Sequence, residues 1–325
     1  MTFPLNKQSK TVIYISLIGA MLIWAGSFIW SKQALEHYNP VNIVLFRLLI
    51  SSLFLFPYLL IRKKIQKIDL ADFSLILLMA FCEPFIYFMG ETYGIKLVSA
   101  PVAAVIVSTL PLFTPLASAI FLKDKLTVFN VLGVAVSFAG IILIVLGPKA
   151  EFIISPVGLM FLFSSVFAGV AYSILIKKIN KKYSVLNLVL YQNIIGIILF
   201  IPVFLILDYR DFMATGFVWY SMWPIIKLAV FATSIAYFLY THALRNMDIS
   251  KVNVFTNIIP VFTIIFSWIF LGEIIPERKI LGIIIIMTGV TVSQIARDKY
   301  GTYGYIHRHI VARFKGAGNK RRKEL

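Results

Sequence analysis

Charge is scarce in this sequence. Asp, Glu, Lys and Arg supply 14% of 325 residues while 60% are hydrophobic, whereas soluble domains carry about 25% charged and about 45–50% apolar residues. The charges that exist fall in short runs between long stretches with none. This layout excludes a water-soluble globular protein and predicts a polytopic membrane protein. Cysteine is nearly missing too. Cys82 stands alone, so no internal disulfide can form, and one thiol says nothing about compartment. There is no G-x-x-x-x-G-K-[ST] loop and no soluble region large enough for a nucleotide-binding domain, which excludes direct drive by ATP. H-E-x-x-H and G-x-S-x-G are absent, and His307 and His309 have no carboxylate or cysteine ligand beside them. No catalytic motif, metal site or cofactor is therefore expected.

Acidic residues are the rarer charge, 14 against 31 Lys and Arg, which leaves a formal +17. Residues 297–325 hold nine of the cations against Asp298 and Glu324, and most of the others sit in short loops. Positive cytoplasmic loops explain this distribution, and no nucleic-acid partner is expected. The tail also carries Tyr300, Tyr303, Tyr305 and Phe314. It suits either an electrostatic anchor on anionic headgroups or a solvated, disordered segment.

Seven stretches contain no Asp, Glu, Lys or Arg: 11–31, 97–122, 126–148, 152–176, 183–207, 252–272 and 280–296. Each is long enough to cross a hydrocarbon layer of about 30 Å. Stretches near 41–61, 73–94 and 219–242 are also long enough but hold internal charges, so ten spans are expected. Helices are the expected form, because a spanning segment must satisfy its own backbone and these runs lack the alternation of barrel strands. With the N-terminus inside, twenty-three cations fall on the inner side, among them Arg62, Lys63, Lys64, Lys67, the run Lys177 to Lys182 and the tail. Six fall outside: Lys32, Lys96, Lys149, Arg210, Arg278 and Lys279. Both termini are thus expected in the cytoplasm, with the chain integral to the plasma (inner) membrane. The first span is too long for a signal peptide and lacks an A-x-A-like cleavage site.

The chain matches itself at an offset of 149 residues. Pro111 falls on Pro260, Leu122 on Leu271, Asp124 on Glu273, Gly133 on Gly282 and Gly140 on Gly289. At an offset of 145, Phe46-Arg47 meets Tyr191-Gln192 and Pro57 meets Pro202; at 143, Ala25-Gly26 meets Ala168-Gly169. Three parts follow: a five-helix repeat over 1–149, a second over 150–296, and the basic tail over 297–325. Five is odd, so equivalent helices enter the membrane from opposite sides, the symmetry used by carriers that alternate between inward-open and outward-open states.

At these residues the chain resembles the EamA-type branch of the drug/metabolite transporter superfamily. The resemblance rests on Trp24-Ala25-Gly26-Ser27-Phe28, Pro40 and Arg47, and on a block present in each half. That block reads Ser99-Ala100, Pro111 and Leu122 followed by Lys123-Asp124 with the Gly133/Gly140 pair, then Pro260 and Gly272-Glu273 with the Gly282/Gly289 pair. It covers about 11–296 and departs from the family where Lys123-Asp124 replaces Gly-Glu. The resemblance implies ten helices in two repeats, no enzymatic activity, and movement of small metabolites, often amino-acid-like and commonly outward.

Arg47, Glu83, Glu91 and Lys227 are the formal charges inside the expected spans. Such residues are expensive in hydrocarbon and usually face a cavity or a partner. Glu83, Tyr87 and Glu91 follow an i, i+4, i+8 series, so a continuous helix puts them on one face lining the pathway. Glu83, near mid-span, is expected to be desolvated and to take up and release a proton during transport; the alternative is a static ion pair with Arg47 or Lys227. Glu91, nearer the outer end, is either pathway-lining or hydrated. Arg47 suits a substrate carboxylate or snorkelling, and Lys227 suits an idle position at the lipid. Further pathway candidates are Trp24, Ser27, Gln192, Asn193, His242, Asn253 and Asn257, with bonding between helices as the alternative for the amides. Pro84, Pro101, Pro111, Pro115 and Pro260 are candidate hinges or helix breaks, and Gly90/Gly94 a site of close helix approach. A membrane-embedded enzyme acting on lipid, with Glu83 and His242 as acid and base, is the competing reading, although the loops are short for one. Oligomeric state is not legible.

Overall fold

A computed structural model describes residues 10–122, 127–146, 154–179, 182–246 and 255–293. Among them every extended element is a helix and there is no β-strand. The helices are α1 (Lys10–Ala34), α2 (Pro40–Ile61), α3 (Leu70–Leu97), α4 (Ala100–Val107), α5 (Leu110–Leu122), α6 (Val128–Val145), α7 (Pro156–Ile179) and α8 (Val185–Leu207). They continue with the short α9 (Tyr209–Thr215), α10 (219–246), α11 (Ile258–Leu271) and α12 (277–293). Eight helical stretches of at least 18 residues are apolar enough to cross a membrane, with α4 and α5 together making one, and α11 is a shorter apolar helix. The chain is an all-helical, multi-pass membrane protein. The basic tail 297–325 and Asn253 lie outside the described residues.

Local sequence explains several boundaries. Asn39 and Ser99 are extended, and the prolines just inside α2 and α4 have the φ a helix start requires, where no N–H is missed. Pro101 therefore begins a helix and breaks none. Thr127 and Asn130 form a reciprocal cap on α6, and Gly272 ends α11 in the left-handed region, φ 65°.

Three long helices are interrupted near their middles. In α3 the turn Phe81–Ile86 is widened, and Glu83 leaves helical geometry (φ −142°, ψ 115°). Pro84 accounts for this, since proline lacks an N–H and disfavours helical backbone in the residue before it. The expected continuous i, i+4, i+8 face is accordingly broken at its first member. In α10 the turn Leu228–Ile235 is widened with no proline in it. There Thr233 and Ser234 hydroxyls donate to the Leu228 and Ala229 carbonyls at 3.1 and 3.0 Å, replacing bonds that the wide turn gives up. The fourth expected span is split at Ser108–Thr109, just before Pro111, into α4 and α5; Pro115 lies inside α5. A turn at Thr256–Asn257 likewise precedes α11, whose third residue is Pro260.

The most extensive pairings are α3 with α7, α2 with α8 and α10, α1 with α10 and α11, α3 with α8, α4 with α11 and α7, and α5 with α7. Small residues allow the closest approaches. A Cβ on Gly90 would lie 2.5 Å from the Phe161 carbonyl oxygen, so the Gly90/Gly94 face meets α7 of the same chain. On the other side α6 and α12 run antiparallel in backbone contact. A Cβ on Gly133 would lie 2.6 Å from the Gly289 carbonyl oxygen, and one on Gly140 2.7 Å from that of Gly282. Midway, Ser137 Oγ donates to the Ile286 carbonyl at 3.0 Å. Asn130 donates to the Ser293 carbonyl (3.0 Å) at one end and Arg278 to that of Leu143 (3.2 Å) at the other. Large apolar side chains such as Leu53, Ile198, Ile206 and Phe270 face outward, as hydrocarbon contact demands.

Between α2 and α3 the chain is pinned to the start of α8. Lys182 Nζ lies 2.5 Å from carboxylate oxygens of both Asp69 and Asp72, and these acceptors hold its ammonium well above the usual lysine range. Asn187 Nδ2 donates to the Lys64 carbonyl at 2.9 Å. At the opposite end Lys96 donates to Asn39 Oδ1 (2.8 Å), whose amide nitrogen donates to Asp211 (3.0 Å).

Candidate functional site

The three interrupted helices surround a central cavity of about 250 Å³. Trp24, Ser27 and Phe28 of α1, Arg47 of α2, and Glu83, Tyr87, Phe88 and Glu91 of α3 line it, with Ser108 and Pro111 at the α4/α5 break. Gly169, Tyr172 and Ser173 of α7, Tyr237 and Tyr240 of α10, and Thr256 and Ile259 close the other side. Glu83, Tyr87 and Glu91 thus reach one space although the helix between them and its N-terminal part is broken.

Arg47 is held from three sides. Its Nε donates to Thr233 Oγ1 at 2.6 Å, its Nη1 lies 3.8 Å from Glu91 Oε2, and its guanidinium sits 4.0 Å from the Phe88 ring centre. Glu91 is 7% exposed, so it is buried against a cation, not hydrated at the outer end; the Tyr87 hydroxyl adds a long contact of 3.5 Å. Glu83 has a different environment. Its carboxylate accepts a hydrogen bond from the Tyr237 hydroxyl across the bundle. Among the described residues no Lys, Arg or His nitrogen lies within 4.0 Å of it. The static pair of Glu83 with Arg47 or Lys227 is therefore not formed. Lys227 is half-buried, its Nζ 5.7 Å from the Trp30 ring centre, in place of an idle position in lipid.

The freed backbone groups at the wide turns have side-chain partners. Trp24 Nε1 donates to the Ala232 carbonyl at 3.2 Å and Gln192 Nε2 to the Glu83 carbonyl at 3.3 Å, while the Tyr172 hydroxyl donates to Gln192 Oε1 at 3.3 Å. Gln192 and Asn193 line a space of only about 20 Å³ behind Glu83 and Tyr237, big enough for about one water. Asn193 bonds Ser51 (2.9 Å), which bonds Ser234 (3.0 Å), and Asn257 bonds Thr291 (3.2 Å). These three amides join helices. Ser27 donates to the Trp24 carbonyl at 2.6 Å, so its hydroxyl proton is used inside its own helix. His242 is elsewhere, in a pocket of about 450 Å³ with Lys63, Lys64 and Ser184. Glu83 and His242 line different spaces, so the acid–base pair of an embedded enzyme is not assembled.

Sequence reasoning missed the aromatic and hydroxyl contributors Phe88, Ser108, Tyr172, Ser173, Tyr237, Tyr240 and Thr256. The signal for the tyrosines was a phenol within an apolar stretch, as at Tyr172 in Pro156–Ile176 and Tyr237 in Trp219–Tyr240.

A multi-pass helical bundle around a buried cavity holding carboxylates, an arginine and tyrosines has the form of a membrane transporter. The chain belongs to the EamA-like transporter family, whose model matches residues 11–146 and again 156–294. It is 27% identical over 296 residues to the uncharacterized transporter YdfC of Bacillus subtilis, covering 90% of this chain and 94% of that one. It is 28% identical over 285 residues to an uncharacterized transporter of Archaeoglobus fulgidus, at 87% and 96% coverage. A protein of known crystal structure superposes with a TM-score of 0.62 at 13% identity, covering 90% of this chain and 99% of the other, and shares the fold.

Proposed function

We propose that this protein is a secondary transporter that moves small metabolites by alternating access between two inverted five-helix halves, 1–149 and 150–296. The observation carrying this reading is the exchange symmetry of the packing. Let α4 with α5 count as span four, α6 as five, α7 as six, α8 as seven, α10 as eight, α11 as nine and α12 as ten. Exchanging each span with the one five places away then maps two–seven, four–nine and five–ten onto themselves. Three–six maps onto eight–one, three–seven onto eight–two, and one–nine onto six–four. Details obey the same exchange: Arg47 bonds the wide turn of α10, and its repeat partner Gln192 bonds the wide turn of α3. The antiparallel α6/α12 contact supports an axis across the helices, in the membrane plane.

The cavity lies between these halves, and Glu83 is its proton-exchanging group, held by Tyr237 of the other half. Both termini are cytoplasmic and the membrane is the plasma (inner) membrane, on the charge of the loops. Amino-acid-like substrates and outward movement follow from the family resemblance. The test is counterflow of a labelled metabolite panel into proteoliposomes with a pH gradient on or off. Wild type shows saturable, gradient-responsive flux, while Glu83→Gln keeps exchange and loses gradient drive. A variant matching wild type under both conditions removes Glu83 from the coupling.

A further inference from the structure

We infer that the central cavity selects a small organic cation, an amine whose ammonium group sits against Glu83 within a cage of aromatic rings. The inference rests on the reading of this cavity as the transport site and departs from the amino-acid-like range of the family resemblance by giving the substrate a net positive charge.

The cavity's charges do not balance. Glu91 and Arg47 face each other at 3.8 Å and answer one another, with Arg47 further fixed by Thr233 and Phe88. Glu83 has a phenol for a partner and, among the described residues, no cation within 4.0 Å. With all three ionised the site carries one uncompensated negative charge. A carboxylate that faces a cavity with no cation beside it attracts either a proton or a cationic ligand.

The surrounding side chains are those that accept an ammonium group. Trp24 packs on Tyr237 with ring centres 5.5 Å apart and on Tyr240 at 5.1 Å, and Tyr87, Phe88 and Tyr172 face the same space. Aromatic rings lining a space beside an unpaired carboxylate are the side chains that hold alkylated and primary ammonium groups. An anionic ligand would add to the uncompensated negative charge and would have to draw Arg47 from Glu91, which it faces at 3.8 Å. The volume, about 250 Å³, is just under the usual range of about 300–1,000 Å³ for ligand pockets, which limits the substrate to a small molecule. Occupancy by amine and by proton is mutually exclusive at one carboxylate, so such a ligand would also compete with protonation of Glu83.

The test uses the full chain in detergent and three ligands sharing one ring: cyclohexylammonium, cyclohexanol and cyclohexanecarboxylate, titrated calorimetrically. The amine binds at least tenfold more tightly than the alcohol, and the carboxylate is weakest. Glu83→Gln brings amine and alcohol to equal affinity, and Tyr240→Leu, which leaves the carboxylate in place, weakens the amine several-fold. No amine binding, an alcohol or carboxylate bound as tightly as the amine, or an amine preference that survives Glu83→Gln overturns the inference. Should Glu83→Gln fail to give a monodisperse protein, Tyr240→Leu decides, and unchanged amine affinity overturns it. Amine binding without flux of any compound in proteoliposomes would sink the transport reading and leave the ligand class standing. Saturable flux of zwitterions or anions without amine binding would do the reverse.

Discussion

Tyr237 and Glu83 meet across the bundle, a phenol on α10 donating to a carboxylate on α3 at the level where both helices have widened turns. Glu83 lies within the widened turn of α3, and Tyr237 follows just after that of α10. If this bond closes the cavity in one state of the transport cycle, the two groups act as one unit. Tyr237→Phe should then slow pH-driven flux, and combining it with Glu83→Gln should be no slower than the slower single variant. Additive losses in such a double-mutant comparison would separate the two residues.

Arg47 and Glu91 lie together in a buried place, 5% and 7% exposed. Removing one partner of a buried pair leaves an uncompensated charge, typically about 3–5 kcal/mol of destabilisation. Arg47→Ala should lower the thermal midpoint in detergent strongly, and Arg47→Ala combined with Glu91→Ala should recover most of the loss. A double variant as unstable as Arg47→Ala would mean that the bond to Thr233 and the stacking on Phe88 matter more than the ion pair.

At its glycines the α6/α12 contact has no space for a larger side chain. Gly140→Val would drive its Cβ against the Gly282 carbonyl and Ile286, and overpacking of this kind costs about 1–3 kcal/mol. Gly19→Ala is the control, because a Cβ there meets Leu239 at an ordinary 3.6 Å. Unfolding in detergent should separate the two variants clearly; equal midpoints would show that α6 and α12 part at little cost.

Orientation is open to direct labelling. In a Cys82→Ser background, Lys64→Cys should react with an impermeant maleimide only in inside-out vesicles, and Arg210→Cys only in intact cells. The opposite pattern would invert the assignment of the termini.

Much of the helical layout is visible in the hydropathy of the chain, since 41–61, 73–94 and 183–207 coincide closely with α2, α3 and α8. Pro84 also announced the break in α3, because proline removes a donor whatever surrounds it. The widened turn of α10 carried no such mark. Its replacement bonds come from Thr233 and Ser234, and a Thr-Ser pair in a span is as often ordinary. The site was legible where charge made burial expensive, as at Arg47, Glu83 and Glu91. It was illegible at Tyr172, Tyr237 and Tyr240, whose placement depends on which way each helix is turned. His242 illustrates the same limit: position along a span indicates depth, but the space a side chain enters is decided by neighbours as distant in sequence as Tyr58 and Lys63.

The glycine contact between α6 and α12 has a mechanical meaning. Where Gly133 faces Gly289 and Gly140 faces Gly282, backbone lies on backbone, with Ile144 and Ile286 packed beside it. Hydrogen bonds at both ends and the middle, from Asn130 to Ser293, Ser137 to Ile286 and Arg278 to Leu143, stitch the pair together. Such a joint is a clasp: sliding or parting the two helices would have to break these bonds, so α6 and α12 travel as one piece.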